Sequence, residues 1–496
     1  MLNKIKHIFK HSTVYSIGNV AQKFSGIFLL PLYSKYITIS EYGILGILEI
    51  TIILLSQILI FGQAQAFLRF YVLKEFYERR KSTLFTVYIF MLFVGIILNL
   101  IGQYLAPKVS NVLFESPDFL IYIRFCIIII SLQLINSLLL SVLRAKEKSS
   151  FYTIANIVKV LIFLFSNIYL VAYLRIGIKG ILISYLISDA VLFLIIFPYM
   201  ISEMELKFDL KILKQLLAFG FPLIFINLAG MLLNVGDRYI LKLLVDYREV
   251  GLYNLGYKIA GLLNVFFIQS FSLALFPLAF KMYNQKGDKR YYSKILTYFC
   301  YILFWAGLGL AFFGKEFIKV LTLNPDYWAS YQVVPYIIFA YIISGAKYVV
   351  SLGLFLTKKT QYIAYNAIIA VMINIGLNFI LIPKYKMIGA AIATVISFII
   401  LYMLTYLIAN RYYKIPYENT KLIKMMILSI FLYMISSLFA NMNLEIRVLG
   451  KLILFISFPI FLYFLNFYEK IEILRIKQVW NKWKNPLKWR GNLSKK

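Results

Sequence analysis

Apolar runs of bilayer-crossing length follow one another along almost the whole chain, separated by short polar breaks. A spanning helix needs about 20 apolar residues, and about 14 runs meet that length. Their rough limits are 13–35, 43–68, 84–106, 119–143, 151–174, 178–200, 216–243, 252–280, 295–314, 331–356, 362–382, 387–409, 422–441 and 447–467. The breaks hold turn and charge clusters such as Glu78-Arg79-Arg80-Lys81, Asn284-Gln285-Lys286-Gly287-Asp288 and Pro383-Lys384-Tyr385-Lys386. This pattern predicts an all-α, polytopic membrane protein. The first run is too long for a signal peptide and no cleavage-site pattern follows it, so no cleavable leader is expected.

The runs repeat. Glu41-Tyr42-Gly43-Ile44 opens the second and Glu249-Val250-Gly251-Leu252 the eighth. Tyr152-Thr153-Ile154-Ala155-Asn156 begins the fifth and Tyr362-Ile363-Ala364-Tyr365-Asn366 the eleventh. Lys179-Gly180-Ile181 begins the sixth and Ile388-Gly389-Ala390 the twelfth. The three matches share nearly one offset, 208 to 210 residues. Six spans is an even number, so the second copy enters the membrane in the same orientation as the first. Such parallel repeats are related by an axis along the membrane normal and enclose a cavity that rocking exposes alternately. The expected organisation is an N-lobe at 1–205, a C-lobe at 206–410, two added spans at 411–467 and a tail at 468–496.

Composition sharpens this picture. The 496 residues are 61% hydrophobic and only 15% charged, yet 52 Lys+Arg against 21 Asp+Glu give a net charge of +31. A soluble chain this basic would suggest nucleic acid, but so apolar a surface would not stay in water. A soluble enzyme, a disordered chain and a disulfide scaffold are excluded with it, and no nucleic-acid partner is expected. Assigning alternate loops puts roughly threefold more Lys and Arg on the side holding both termini, which makes that side cytoplasmic. The expected location is the plasma membrane, in contact with its lipids. The opposite loops are all short, so no soluble catalytic domain fits there. No G-x-x-x-x-G-K-[ST], H-E-x-x-H or G-x-S-x-G motif is present, so no catalytic residue and no cofactor is assigned. Cys126 and Cys300 sit inside apolar runs and read as buried small hydrophobes. With His7 and His11 the only histidines, no metal site is expected.

Charges inside spans are costly and point to function by default. Arg69, Arg124, Arg238 and Lys451 lie near span ends, where snorkelling explains them. Four lysines lie deeper. Lys23 shares a helix face with Asn19 and Gly26, Lys159 with Asn156, Lys258 with Asn254 and Gly261, and Lys347 with Ser344 and Ser351. They predict a cavity lined with cations from both lobes, which attracts anions, phosphate and pyrophosphate above all. Lysine offers a mobile point charge and so suits releasable cargo. The alternative is pairing with an acid. Glu49, Asp189 and Asp237 are the intramembrane acids, read as neutralising the lysines or as carrying a proton or sodium ion; Asp237, beside Arg238, favours a structural pair. Asn234, Asn264, Asn374 and Asn378 read as helix–helix glue or as partners of sugar hydroxyls. The 39 Tyr and 43 Phe receive no site. The tail, with Trp480, Trp483 and Trp489 among Lys and Arg, reads as an amphipathic segment on the inner leaflet.

Four stretches resemble a known family: Pro31-Leu32-Tyr33 with Ser40-Glu41-Tyr42-Gly43; Asn234 and Asp237-Arg238-Tyr239-Ile240-Leu241 with Val250-Gly251-Leu252-Tyr253 and Tyr257-Lys258; Tyr327 with Val333-Val334-Pro335; and Ile382-Pro383-Lys384-Tyr385 with Ile388-Gly389-Ala390-Ala391. Together they cover about residues 12–410. They resemble polysaccharide (O-antigen or capsule) flippases of the Wzx type, within the multidrug/oligosaccharidyl-lipid/polysaccharide exporter superfamily. The resemblance implies two six-helix lobes plus two helices. It implies translocation of an undecaprenyl-pyrophosphate-linked oligosaccharide from the cytoplasmic to the outer leaflet by a monomer, alongside the polymerase and glycosyltransferases of the pathway. It also implies cationic cavity residues, for which Lys23, Lys159, Lys258 and Lys347 are the candidates. Lipid II flippases are similar in span number but favour cavity arginines. Cation-coupled drug exporters have 12 spans and fewer cavity cations. A membrane-embedded polymerase or ligase usually carries a large external loop, which is missing here.

Overall fold

The computed structural model describes residue 21 and residues 24–72 and 77–474. Every regular element among the described residues is helical. In chain order the α-helices are α1 (Leu30–Tyr36), α2 (Ile39–Leu59), α3 (Gln63–Val72), α4 (Arg80–Phe114), α5 (Leu120–Ala145), α6 (Ser149–Asn167), α7 (Gly177–Ile201) and α8 (Leu210–Val235). There follow α9 (Asp237–Leu244), α10 (Tyr247–Leu263), α11 (Ser270–Met282), α12 (Asp288–Leu321), α13 (Val334–Val350), α14 (Leu352–Leu356), α15 (Gln361–Tyr412), α16 (Asn419–Leu438) and α17 (Leu444–Phe464). Among the described residues, 11 helices are long and apolar enough to cross a membrane.

That number departs from the sequence pattern at three places. The 52 residues of α15 would be about 78 Å long, more than two bilayer cores. Lys386, at φ 50 and ψ −131, breaks α15 into two arms that carry the expected eleventh and twelfth spans. The expected eighth span is divided by a wide π-helical turn, Asn264–Gln269, between α10 and α11. The expected first span lies partly outside the described residues. So does the expected amphipathic tail beyond residue 474.

The described residues of Met1–Tyr283 and Gly314–Lys414 form one compact unit. Its centre is a crossing between α2 and α10, the helices that carry the two copies of the first repeat motif. Both helices start at a capped position. Thr38 and Glu41 form a reciprocal capping box on α2, and Asp246 Oδ1 accepts from Glu249 N at 2.7 Å on α10. The caps fix which turn presents its glycine. A Cβ on Gly43 would overlap the Tyr247 carbonyl oxygen, and one on Gly251 the Ile39 carbonyl oxygen. One turn on, a Cβ on Gly46 would come within 2.9 Å of Asn254 Nδ2. Positions 43 and 251, and 46 and 254, are related by the repeat offset itself. The repeat therefore packs against its own copy, backbone to backbone, as small residues allow in membranes.

A further repeat pair, too short to stand out in the sequence, closes one end of this unit. Ser116-Pro117-Asp118-Phe119 and Asn324-Pro325-Asp326-Tyr327 each open a 3-10 turn. Each first residue accepts a hydrogen bond from the backbone N–H two residues on, at 3.1 and 2.9 Å. Around them the contacts exchange halves. Lys242 pairs with Glu115 at 2.6 Å, while at the equivalent positions Leu323 N donates to Ser34 Oγ at 2.9 Å. Tyr327 OH donates to Ile37 O at 2.9 Å, and Tyr247 OH to Phe114 O at 3.4 Å. The end carrying residues 37–38, 115–119, 245–246 and 322–333 is thus clasped from both halves. At the other end of α2, Gly62 at φ +65 lies against Gly220, so close that a Cβ on either would strike the other segment's backbone.

The described residues of Asn284–Phe313 and Ile415–Lys496 form a second unit. Here the Trp305 ring stacks on Phe455 with centroids 5.3 Å apart. Lys294 pairs with Glu418 at 2.8 Å and with Glu469. Burial works to raise the Glu418 carboxyl, but hydrogen bonds from Lys294, Thr297 and Lys421 outweigh it and hold it below the usual carboxylate range. The Lys294 hydrogen bond does the same at Glu469.

Two outcomes are expected. Gly43→Ala or Gly251→Ala should destabilise the protein by about 1–3 kcal/mol or more through overpacking. Gly230→Ala, whose Cβ would meet nothing within 4 Å, should be neutral or slightly stabilising; thermal unfolding in detergent compares the three. Separately, carboxyls depressed in the folded state stabilise it above their unfolded value, about 4.3, and lose that contribution as pH falls through the folded value. The unfolding midpoint should therefore drop below about pH 5, and Lys294→Met should flatten that acid limb.

Candidate functional site

Lys258 lies seven residues after Gly251 on α10, on the face that meets α2. Opposite it, Glu49 lies one turn beyond Gly46 on α2. The stripe Gly251–Asn254–Lys258 thus opposes Gly43–Gly46–Glu49, small residues first and ionisable ones further along. Lys258 Nζ stands 3.6 Å from Glu49 Oε2, and Tyr185 OH, on α7, donates to Glu49 Oε1 at 2.9 Å. The ammonium also lies 5.2 Å from the centroid of the Tyr42 ring, a cation–π contact.

These groups border a cavity of about 340 Å³ between the two repeats. The first repeat contributes Ser25, Gly26, Tyr33 and Glu49, and the second Asn254, Lys258, Asn264 and Tyr341. Asn264 opens the π-helical turn, and such turns recur at functional sites. Gly26 keeps room beside Lys258: a Cβ there would lie 3.8 Å from Nζ. Lys258 is a quarter exposed, so its pair with Glu49 is open to the cavity.

A second cavity, about 480 Å³, lies within the first repeat and shares Glu49 and Tyr185 with the first. Lys159 and Asn156 line it. Lys159 Nζ donates to Asp189 Oδ1 at 2.5 Å, and Asp189 is fully buried. Gln133 Nε2 and Asn136 Nδ2 also donate to the Asp189 carboxylate, both at 3.3 Å.

A third charged cluster is closed. Asp237 pairs with Arg238 at 2.8 Å and accepts from Tyr253 OH and from Thr394 Oγ1. The Arg238 guanidinium lies 4.9 and 4.1 Å from the Tyr253 and Tyr257 ring centroids. Arg238 is only 2% exposed, so it does not snorkel as its position near a span end suggested. A cage of two tyrosines from α10 holds it instead. Lys451 is likewise buried, whereas Arg124 is exposed and Arg69 lies over the Phe219 ring at 4.4 Å.

The structure therefore brings Lys258, Asn254 and Glu49 together, and Lys159, Asn156 and Asp189 next to them. Lys347 lines neither cavity; its ammonium lies 4.4 Å from the Tyr348 ring, and it makes no ion pair among the described residues. Lys23 and Asn19 lie outside the described residues. Tyr185, Gln133 and Asn136 do not stand out in the sequence, and Tyr42 does so only as part of the repeat motif. The available signal is helical spacing, since Tyr185 and Asp189 are one turn apart, as are Gln133 and Asn136. Asn378 Nδ2 donates to Asn374 Oδ1 at 3.0 Å. Cys126 and Cys300 are buried free thiols. No group of three metal-ligating side chains occurs among the described residues.

Comparison with known proteins gives this geometry a family. Residues 34–330 match the family described as polysaccharide biosynthesis protein. The chain belongs to that family. It is 26% identical over 287 residues to a protein of the Lsg locus of Haemophilus influenzae, covering 56% of this chain and 67% of that one. It is 24% identical over 262 residues to an uncharacterized membrane protein of Methanocaldococcus jannaschii, spanning half of each. Among solved structures, the fold is similar to that of the lipid II flippase MurJ in an inward closed conformation, with TM-score 0.74, 18% identity and coverage of 91% of this chain and 99% of that one. It is also similar to an inward-facing MATE family multidrug resistance transporter of the MOP superfamily, with TM-score 0.64, 14% identity and coverage of 80% and 94%. The chain thus shares its fold with these two proteins.

The caged pair has a testable signature. Asp237→Asn leaves a buried guanidinium without its counter-charge and should cost about 3–5 kcal/mol of stability. The double variant Asp237→Asn/Arg238→Met should recover much of that loss in the same unfolding assay.

Proposed function

We propose that this protein is a flippase. It carries an undecaprenyl-pyrophosphate-linked oligosaccharide from the cytoplasmic to the outer leaflet of the plasma membrane, with both termini cytoplasmic, for cell-surface polysaccharide synthesis. One observation carries the reading: Lys258 lines the cavity between the repeats, held by a single carboxylate that an incoming anion can replace. Membership of the polysaccharide biosynthesis family and the MOP-type fold support it.

In this scheme the clasped end faces outward, as the Lys/Arg bias of the loops suggests, and cargo enters from the cytoplasmic side. The pyrophosphate competes with Glu49 for the Lys258 ammonium. The ammonium then exchanges one oxyanion partner for another, and as a mobile point charge it can return to Glu49 and release the cargo when the lobes rock. Lys159 and, by sequence position, Lys23 are the further cations proposed for the path; Lys347, which lines neither cavity, is left out of the contact set. Glu49 and Asp189 serve as exchangeable counter-charges. Polymerase and glycosyltransferases of the same pathway are the proposed partners. A lipid II cargo is a weaker reading, because the described residues lining these two cavities include no arginine.

Lys258→Ala should lower the outer-leaflet lipid-linked glycan at least tenfold at unchanged protein level, and Lys258→Arg should keep part of the flux, as charge without mobility would. Leaflet-resolved lipid extraction provides the measure. Full flux in Lys258→Ala would refute the cavity mechanism.

A further inference from the structure

The second cavity has a composition that anion binding does not explain. Its charges are already balanced, Lys159 against Asp189 and Glu49 against Lys258, with Tyr185 OH donating to Glu49. Beside aliphatic side chains of α2, α5 and α7, the rest of its wall carries neutral hydrogen-bonding groups: Ser56, Gln57, Gln133, Asn136 and Asn156. Helix–helix adhesion accounts for some of it. Ser56 Oγ donates to Gln133 Oε1 at 3.3 Å, and Gln133 reaches Asp189.

Two groups are not accounted for. Asn136 is 3% exposed, and its Oδ1 has no hydrogen-bond partner. That oxygen is fixed as an acceptor facing away from Asp189, because Asn136 Nδ2 donates to both the Asp189 carboxylate and the Asp189 carbonyl, the latter at 2.9 Å. Gln57 makes no hydrogen bond among the described residues, although it carries two donors and an acceptor into the same cavity. Within membrane depth an unmet amide is expensive. A ligand rich in hydroxyls, each able to donate and to accept, would satisfy Gln57 directly, whereas Asn136 Oδ1 has almost no accessible surface and would be reached only after its side chain shifts.

We propose that this cavity is a carbohydrate subsite, taking the sugar or sugars nearest the pyrophosphate of the cargo. The proposal rests on the flippase reading. The layout agrees with it: Glu49 and Tyr185 form the wall common to both cavities, so a phosphate at Lys258 sits next to the amide-lined space, as the bond between pyrophosphate and first sugar requires. The volume, about 480 Å³, is in the range of small-ligand sites. A site built to hydrogen-bond hydroxyls discriminates strongly against ligands that lack them.

The test uses the full-length protein in lipid nanodiscs and two kinds of probe. One is bare undecaprenyl pyrophosphate; the other is a panel of the same lipid bearing glucose, galactose or N-acetylglucosamine. Wild type should bind at least one glycosylated probe about tenfold more tightly than the bare lipid, the gain of one or two good hydrogen bonds. Gln57→Met, which removes no internal bond, should reduce that preference to about twofold or less while leaving affinity for the bare lipid unchanged. Lys258→Gln should weaken both kinds of probe and preserve their ratio. No preference across the panel, a preference that survives Gln57→Met, or equal losses on both probes would overturn the subsite. Unchanged binding of the bare lipid by Lys258→Gln would instead overturn the flippase reading beneath it.

Discussion

Everything described in the larger unit depends on two backbones touching where Gly43 meets Gly251. Lipid tails are as apolar as leucine, so apolar burial does little to hold helices together in a bilayer. Close backbone approach does more, and here it occurs between the two copies of one motif. The contact also sets the register of both helices. Because the caps at Thr38 and Asp246 fix where α2 and α10 begin, the glycines can meet at one rotation only, and that rotation brings Glu49 and Lys258 face to face two turns further on. A crossing that looks purely structural is therefore what builds the ion pair.

Arg238 and Lys258 meet one constraint, that charge within membrane depth must be compensated, in two ways. Arg238 is compensated permanently, with a carboxylate at 2.8 Å and two tyrosine faces, and it lines neither cavity. Lys258 is compensated loosely, at 3.6 Å, with part of its surface on a cavity. The first arrangement suits a rigid element and the second suits exchange. Distance and exposure, more than the presence of charge, separate a brace from a binding group.

Much of this is readable from the chain, and the failures have physical causes. Helical class, membrane depth and the repeat follow from hydrophobic periodicity and from matched Gly and Tyr positions, which are local signals. The Asp237–Arg238 pair is also local, because the residues are adjacent. What escapes needs three dimensions. Arg238 reads as snorkelling because its depth is visible in the sequence but the Tyr253 and Tyr257 rings around it are not. Lys347 groups with Lys258 because both lie on polar helix faces, yet a helix face does not say which neighbour it meets. The Ser116 and Asn324 turns preserve only a Pro-Asp core and an aromatic residue, too little to stand out until their contacts with the opposite half are known.

The clasp and the cavity are not separate devices, because Tyr42 belongs to both. Its ring lies 5.7 Å from that of Tyr327, whose hydroxyl donates to the Ile37 carbonyl, and 5.2 Å from the Lys258 ammonium. Tyr42 itself is fully buried one residue before the Gly43 crossing, so it has no room to relax independently. An anion that draws Lys258 away from Glu49 also draws it from this ring, and so weakens the cation–π attraction that braces one wall of the clasp. A ligand shifts a conformational equilibrium only through interactions that differ between the two states. In the proposed transport scheme the Lys258–Tyr42–Tyr327 chain would supply such an interaction, tying occupancy of the cavity to the closure of the clasped end.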